Sequence, residues 1–163
     1  MNRITGTIIT LNNEAFLQDC ILSLKNICDE IIVVDSLSDD RTVQIAKDLE
    51  TYSKYTKKLK VTAVYGGANI QTQIRKLNSG SQIVVGTPGR VIDLINRKKL
   101  KLKDVEFVVL DEADEMLNMG FKDDLDTILA ETPEEKQTLL FSATMPKEVL
   151  KITKDYMFSP HRI

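Results

Sequence analysis

The sequence predicts an α/β fold: a three-layer α/β/α sandwich around a mostly parallel sheet of about six strands, Rossmann-like or P-loop-like. Two observations carry this. Short, continuous apolar runs recur along the chain, among them Ile31-Ile32-Val33-Val34 and Phe107-Val108-Val109-Leu110. The stretches between them place apolar residues at helical spacing. Continuous apolar strands alternating with amphipathic helices define βαβ units whose sheet is covered on both faces.

The elements follow in order. Thr7 to Leu11 is a β-branched run, expected as the first strand. Asn12 or Asn13 is placed to cap a helix carrying Phe16, Leu17, Cys20, Ile21 and Leu24. Ile31–Val34 is the second strand and ends in the polar turn Asp35 to Asp40. A helix from about Arg41 to Tyr55 buries Val43, Ile45, Ala46, Leu49 and Tyr52. Lys60–Tyr65 reads as a strand with Gly66-Gly67 as its turn, followed by a helix around Ala68–Leu77 that Gly80 terminates. Gln82–Val85 is a strand, Gly86–Arg90 a loop, and a helix then runs through Asn96. Phe107–Leu110 and Thr138–Phe141 are strands separated by a helix around Asp123–Glu131. Met145-Pro146 opens the last helix, to about Met157. Few Pro and Gly and no linker-like tract favour a single domain over residues 1–163.

Composition narrows the class. At 42% hydrophobic and 28% charged residues, the chain has the balance of a globular domain and not of a disordered one. No apolar run approaches the roughly 18 residues of a membrane span, and no signal-peptide pattern opens the chain, so a cytoplasmic protein is expected. Cys20, Cys28 and the single His161 cannot assemble a zinc site, and no structural metal is expected. The net charge of −2 conceals a segregation: residues 54–103 hold 12 basic side chains and one acidic, Asp93, between two acidic flanks. Such a block suggests a surface that faces a polyanion, the ordinary alternative being solvated helix ends and loops.

Four short motifs stand in the last two-thirds: Gly66-Gly67, Thr87-Pro88-Gly89-Arg90, Asp111-Glu112-Ala113-Asp114 and Ser142-Ala143-Thr144. A carboxylate at the end of a central strand, as at Asp111, suits Mg²⁺ held against nucleotide phosphates, and Glu112 beside it suits a general base. The glycine pair and Thr87–Arg90 offer unhindered backbone N–H groups, a hydroxyl and a guanidinium, which suit the phosphates of a single RNA strand. In this order and spacing, residues 44–163 resemble the first RecA-like domain of DEAD-box RNA helicases. The resemblance implies ATP and Mg²⁺ as the family's cofactors and Asp111 and Glu112 as vestigial catalytic residues. It relates Asp111, Asp114, Ser142 and Thr144 to ATP, and gives Gly66, Gly67, Thr87, Pro88, Gly89 and Arg90 to RNA. The departure is that no G-x-x-x-x-G-K-[ST] segment occurs in the sequence.

Residues 1–43 carry a different signature: Gly6-Thr7-Ile8-Ile9-Thr10-Leu11-Asn12, then Ile31-Ile32-Val33-Val34-Asp35-Ser36 and Asp40-Arg41-Thr42. This front resembles family 2 glycosyltransferases of the GT-A fold, which implies that Asn12, Glu14 and Asp35 face the nucleotide of a sugar donor. Leu37 stands where that family has Gly, which would alter the turn after Asp35. The expectation is therefore an engineered chimeric scaffold without turnover and without a cofactor. The alternatives are a remnant that binds single-stranded RNA or nucleotide weakly, and residual nucleotide-sugar binding. Either a monomer or a dimer through a sheet edge is compatible with these features.

Overall fold

The computed structural model describes residues 5–10, 30–35, 51 and 60–162. The helix expected to carry Phe16 to Leu24 lies outside the described residues, as do Asn12 and Glu14, and of the helix expected from Arg41 to Tyr55 only Thr51 is described, as helical. The strands are β1 (Thr5–Thr10), β2 (Glu30–Asp35), β3 (Val61–Val64), β4 (Ile83–Gly86), β5 (Phe107–Leu110) and β6 (Gln137–Leu140). The described helices are α1 (Ile70–Asn78), α2 (Pro88–Asn96), α3 (Ala113–Asn118), α4 (Lys122–Ala130) and α5 (Lys147–Tyr156).

Every pairing is parallel, and the strands run in the order β3-β4-β2-β1-β5-β6. Val109 of β5 stands in register with both Ile8 of β1 and Val33 of β2, so these two strands crowd one position beside β5. The strands are short because each is only a turn-to-turn crossing of the core, yet β4 and β5 are buried at all four positions. Val84, Val108 and Leu110 join one cluster with Ile74 of α1, Leu94 of α2, Leu125 of α4 and Ile152 of α5. The intervening Ile83, Val85 and Val109 are equally buried but point to the other face, as the two-residue period of a strand requires. Both faces of the sheet are therefore covered, which is why these strands are apolar throughout. The β3-α1-β4 and β4-α2-β5 connections advance in one direction along the sheet, and right-handed crossovers place α1 and α2 on the same face.

Helix boundaries follow local chemistry. The Asn69 side chain accepts from the N–H of Gln71 at 2.8 Å and of Thr72 at 3.3 Å, so α1 begins at Ile70, two residues later than the apolar pattern suggests. The stretch Gly86–Arg90, expected as a loop, is shorter than that: Pro88 takes the first helical position, where a missing N–H and a fixed φ are no handicap, and α2 starts there. The helix start expected at the tetrad is present directly after Asp111-Glu112. There α3 forms and closes at Gly120 (φ +87), before α4.

Gly86 is required by packing. A Cβ there would stand 2.5 Å from Val64 Cγ2, 2.8 Å from Val91 Cγ2 and 2.9 Å from the Val64 carbonyl oxygen. Gly89, with nothing within 4 Å of such a Cβ, carries no such constraint. Gly86→Ala is expected to destabilise the domain by about 1–3 kcal/mol through overpacking, and Gly89→Ala to stay within about 0.5 kcal/mol of the parent. Equal urea midpoints for the two variants would show that β3, β4 and α2 do not meet this closely.

Candidate functional site

Parallel strands deliver all their C-terminal ends to one edge, where open α/β sheets place their binding crevices. That edge collects Asp35 at the end of β2, Tyr65–Gly67 after β3, Thr87–Arg90 after β4, Asp111–Asp114 after β5 and Ser142–Thr144 after β6. These residues form two clusters at opposite ends of the edge.

The first joins the glycine pair to the Thr87–Arg90 turn. The Thr87 N–H donates to the Val64 carbonyl at 3.0 Å, which sets the two strand ends side by side. Gly66 and Gly67 are exposed, and Gly67 has φ +73, a conformation that a glycine adopts without strain. The Arg90 guanidinium turns inward: Nη1 donates to the Ala68 carbonyl at 3.3 Å and to Gln73 Oε1 at 2.9 Å. Gln73, only 4% exposed, uses its other end to donate from Nε2 to the Tyr65 carbonyl at 3.1 Å. Gln73 and Arg90 thus brace the glycine turn against the start of α2. Sequence reasoning assigned Arg90 to RNA and missed Gln73. A polar residue beside Ile74 at the buried face of α1 was the available signal.

The second cluster ties the tetrad to Ser142–Thr144. Phe141 N–H donates to the Leu110 carbonyl at 2.7 Å and Ala113 N–H to the Phe141 carbonyl at 3.0 Å, locking the two turns together. Asp114 Oδ2 accepts from the Thr144 N–H at 2.8 Å and the Thr144 hydroxyl at 2.6 Å. Ser142 Oγ accepts from the Asp114 N–H at 3.2 Å and donates to the Thr144 carbonyl at 2.6 Å. Burial raises the Asp114 carboxyl. The hydrogen bonds from Thr144, Ser142 and the backbone outweigh it and leave the group below its ordinary value of 3.8. Asp114 Oδ1 is buried without a hydrogen-bond partner.

Asp111 is buried, and its Oδ1 accepts from the Glu112 N–H at 3.0 Å. Glu112 itself takes a left-handed conformation, φ 52 and ψ 48, at a cost of about 1–2 kcal/mol for a residue with a Cβ. The bonds that fix Ala113 and Phe141 hold it there. Carboxylate oxygens at a strand end fit Mg²⁺, which binds through one or two carboxylates and completes its shell with water and phosphate. Asp111 would hold such an ion, which would supply charge neutralisation for nucleotide phosphates. Among the described residues no group of three or more His, Cys, Asp and Glu side chains could hold a metal unaided. The sequence has no Gly-rich Lys-Ser/Thr loop to cradle the phosphates, so no hydrolytic step is assigned to these residues. None of the described helices is long and apolar enough to cross a membrane.

The basic block does not coincide with this edge. Of its described members only Arg90 lies there. Lys60 precedes β3, Arg75 and Lys76 are in the last turn of α1, and Arg97, Lys98, Lys99, Lys101 and Lys103 follow α2, all at the opposite end of the strands. Helices that return between parallel strands run the other way, so lysines at their ends face away from the motifs.

A parallel α/β domain that gathers carboxylates and glycine turns at the C-terminal edge of its strands has an architecture shared by nucleotide- and nucleic-acid-handling domains. Residues 39–152 match the DEAD/DEAH box helicase family model. The chain is 58% identical over 121 residues to an ATP-dependent RNA helicase CshA of Listeria monocytogenes, an alignment covering 74% of this chain and 23% of that protein. It is 55% identical over 117 residues to the RNA helicase CrhR of Synechocystis, covering 72% and 24% respectively. It therefore spans about a quarter of the curated relatives it matches. Among solved structures, a hypothetical ATP-dependent RNA helicase from Sulfolobus tokodaii superposes with a TM-score of 0.81 at 32% identity, over 96% of this chain and 47% of that one. A DEAD box protein from Methanococcus jannaschii gives 0.80 at 38% identity, over 94% and 44%.

The chain belongs to the DEAD/DEAH box helicase family, and its matched region is the RecA-like domain. The match begins at residue 39, five residues before the boundary expected from the motifs. The glycosyltransferase resemblance of the front gains no support from these similarities.

Because the folded Asp114 carboxyl lies below its unfolded value, its contribution is complete above the unfolded pKa and is lost as pH falls through the folded pKa, so the window lies below about pH 4. Thr144→Val is expected to cost about 1–2 kcal/mol at pH 7 and to shrink the stability lost on acidification. Urea midpoints between pH 7 and pH 3 check this, and parallel curves for parent and variant would refute the assignment.

Proposed function

We propose that the chain is an RNA-binding RecA-like domain of a DEAD-box ATP-dependent RNA helicase. It grips the sugar–phosphate backbone of a single RNA strand at Gly66-Gly67 and Thr87-Pro88-Gly89-Arg90. The observation that carries this is the bracing of those two turns into one edge by Gln73 and Arg90. Exposed N–H groups at Gly66, Gly67 and Gly89 donate to phosphate oxygens and read no bases. Arg90 contributes chiefly by holding the turn, since its Nη1 is already committed to Ala68 and Gln73. Asp111 and Glu112 are the Mg²⁺- and water-facing carboxylates of the family's ATP site, with Asp114, Ser142 and Thr144 linking that site to the sheet edge. ATP and Mg²⁺ are the cofactors of this reading, and unwinding belongs to a longer assembly in which the phosphates have a cradle.

A second reading concerns the front. It keeps residues 1–43 as a segment exchanged from a nucleotide-sugar enzyme, with Asn12, Glu14 and Asp35 as its remnant site in a chimeric scaffold, and its support is the sequence alone, Ile31–Ser36 followed by Asp40-Arg41-Thr42. A melting-temperature rise with UDP-sugar but not with ATP distinguishes it.

The main reading is tested by fluorescence anisotropy with single-stranded oligo-RNA. The parent should bind with an affinity that falls with salt, by about 0.7 logarithmic units of K per unit of log salt for each phosphate contacted. Gln73→Met, which removes both ends of the brace, should weaken binding roughly 5–30-fold, equivalent to about 1–2 kcal/mol. Unchanged binding in a folded Gln73→Met variant would remove the edge from consideration.

A further inference from the structure

The lysines that the motif edge does not use converge on a surface of their own. On the α1/α2 face, at the N-terminal end of the strands, Arg75 and Lys76 close α1, and Lys60 is drawn to the same corner by its Nζ bond to the Ser79 carbonyl at 2.7 Å. The neighbouring helix α2 ends in Arg97-Lys98-Lys99-Leu100-Lys101-Leu102-Lys103. Leu100, Leu102 and Val105 are buried, while Lys98, Lys99, Lys101 and Lys103 are exposed. The apolar residues fix the loop's path, and the cations project from a held backbone.

Two facts separate this from ordinary helix-end lysines. A cation at a helix C-terminus commonly serves the last carbonyls. Here those carbonyls are already taken: Arg97 N–H donates to Asp93 at 3.0 Å, Lys98 N–H to Ile95 at 2.7 Å, and Lys99 N–H to Leu94 at 2.9 Å. The ammonium groups are not needed as caps. Asp93 is paired with Arg97 at 2.6 Å, and although Asp104 follows Lys103 directly, none of Lys98, Lys99, Lys101 or Lys103 has an ion pair among the described residues. Moreover Lys98 sits at φ +57, a position where glycine is the relaxed choice. A strained lysine in a fixed, unneutralised cluster is the kind of outlier from which function is inferred.

We propose that this pole is a second RNA-backbone surface, sequence-independent and separate from the motif edge. Its partner is the phosphate chain of RNA extending beyond the strand held at Gly66-Gly67 and Thr87–Arg90, and so the choice of RNA as the polyanion rests on the function proposed above. Lys98, Lys99, Lys101 and Lys103 act there as point charges, with Arg75 and Lys76 at the same end of the sheet.

The test uses the 163-residue chain and anisotropy with a short and a long oligo-RNA across a salt series, with polyglutamate as a competing polyanion. In the variant Lys98→Gln/Lys99→Gln/Lys101→Gln/Lys103→Gln, the salt slope for the long RNA should fall by about 1.5–3, since each lost single-strand phosphate contact removes about 0.7. The short RNA should respond less, and Gln73→Met should leave the difference between the two lengths intact. A single Lys98→Gly variant should melt higher than the parent yet bind the long RNA more weakly, a combination that a purely structural lysine does not produce. If Gln73→Met is silent while the lysine variant loses slope, the motif edge fails and the pole stands. An unchanged slope, no RNA binding by the parent at low salt, or polyglutamate bound as tightly as RNA overturns the proposal.

Discussion

The close approach of Gly86 to Val64 and Val91 is the contact on which the functional edge depends. With no Cβ at position 86, the end of β4 can lie against β3 while α2 packs onto both. The same Val64 carbonyl that a side chain would strike accepts the Thr87 N–H at 3.0 Å. That bond aligns the glycine turn with the start of α2, and only then are Tyr65, Ala68, Gln73 and Arg90 close enough to bond one another. A backbone spacing set in the core thus determines whether two surface turns present one phosphate-sized edge or two unrelated loops.

The two clusters along the edge are built on different principles. At β3–β4 the polar groups are drawn inward to brace the backbone, leaving N–H groups of small residues exposed. Such a surface has little side-chain entropy to lose and no side chain with which to read bases, which fits a strand bound by shape and charge. At β5–β6 a carboxylate is consumed in holding two turns together. The Asp114–Thr144 pair couples the end of β5 to the end of β6, so any movement of the tetrad is felt in the Ser142–Thr144 turn. The charge segregation of the sequence adds a third element, displaced to the far pole by the direction in which helices return between parallel strands.

The strands β4 and β5 were legible to within a residue, because a strand buried on both faces leaves an unbroken apolar run that a loop does not. The motif residues were legible as a set because parallel strands must deliver their ends to one edge, whatever the strand order. Three features were not. The start of α2 at Pro88 was obscured because Thr-Pro-Gly reads as a turn until the proline is seen to occupy the first helical position. Gln73 was not legible as a site residue because a polar residue beside Ile74 on the buried face of α1 does not reveal its partners, the Tyr65 carbonyl and the Arg90 guanidinium, which only the fold brings to it. The position of the basic block relative to the motif edge was not legible because proximity in sequence to Gly66 and Arg90 says nothing about which end of a helix a lysine occupies.

The tetrad itself unites these scales. Within two residues the chain passes from the buried end of β5 into α3, and the turn is made by Glu112 in a left-handed conformation that its own Cβ opposes. Glycine would make that turn without strain. A glutamate is retained there while Ala113 is pinned to Phe141 and Asp114 to Thr144, so the strain is held by bonds on the far side of the turn. In the function proposed above, that glutamate, beside a buried strand-end aspartate, faces the chemistry of a metal-bound phosphate and its water.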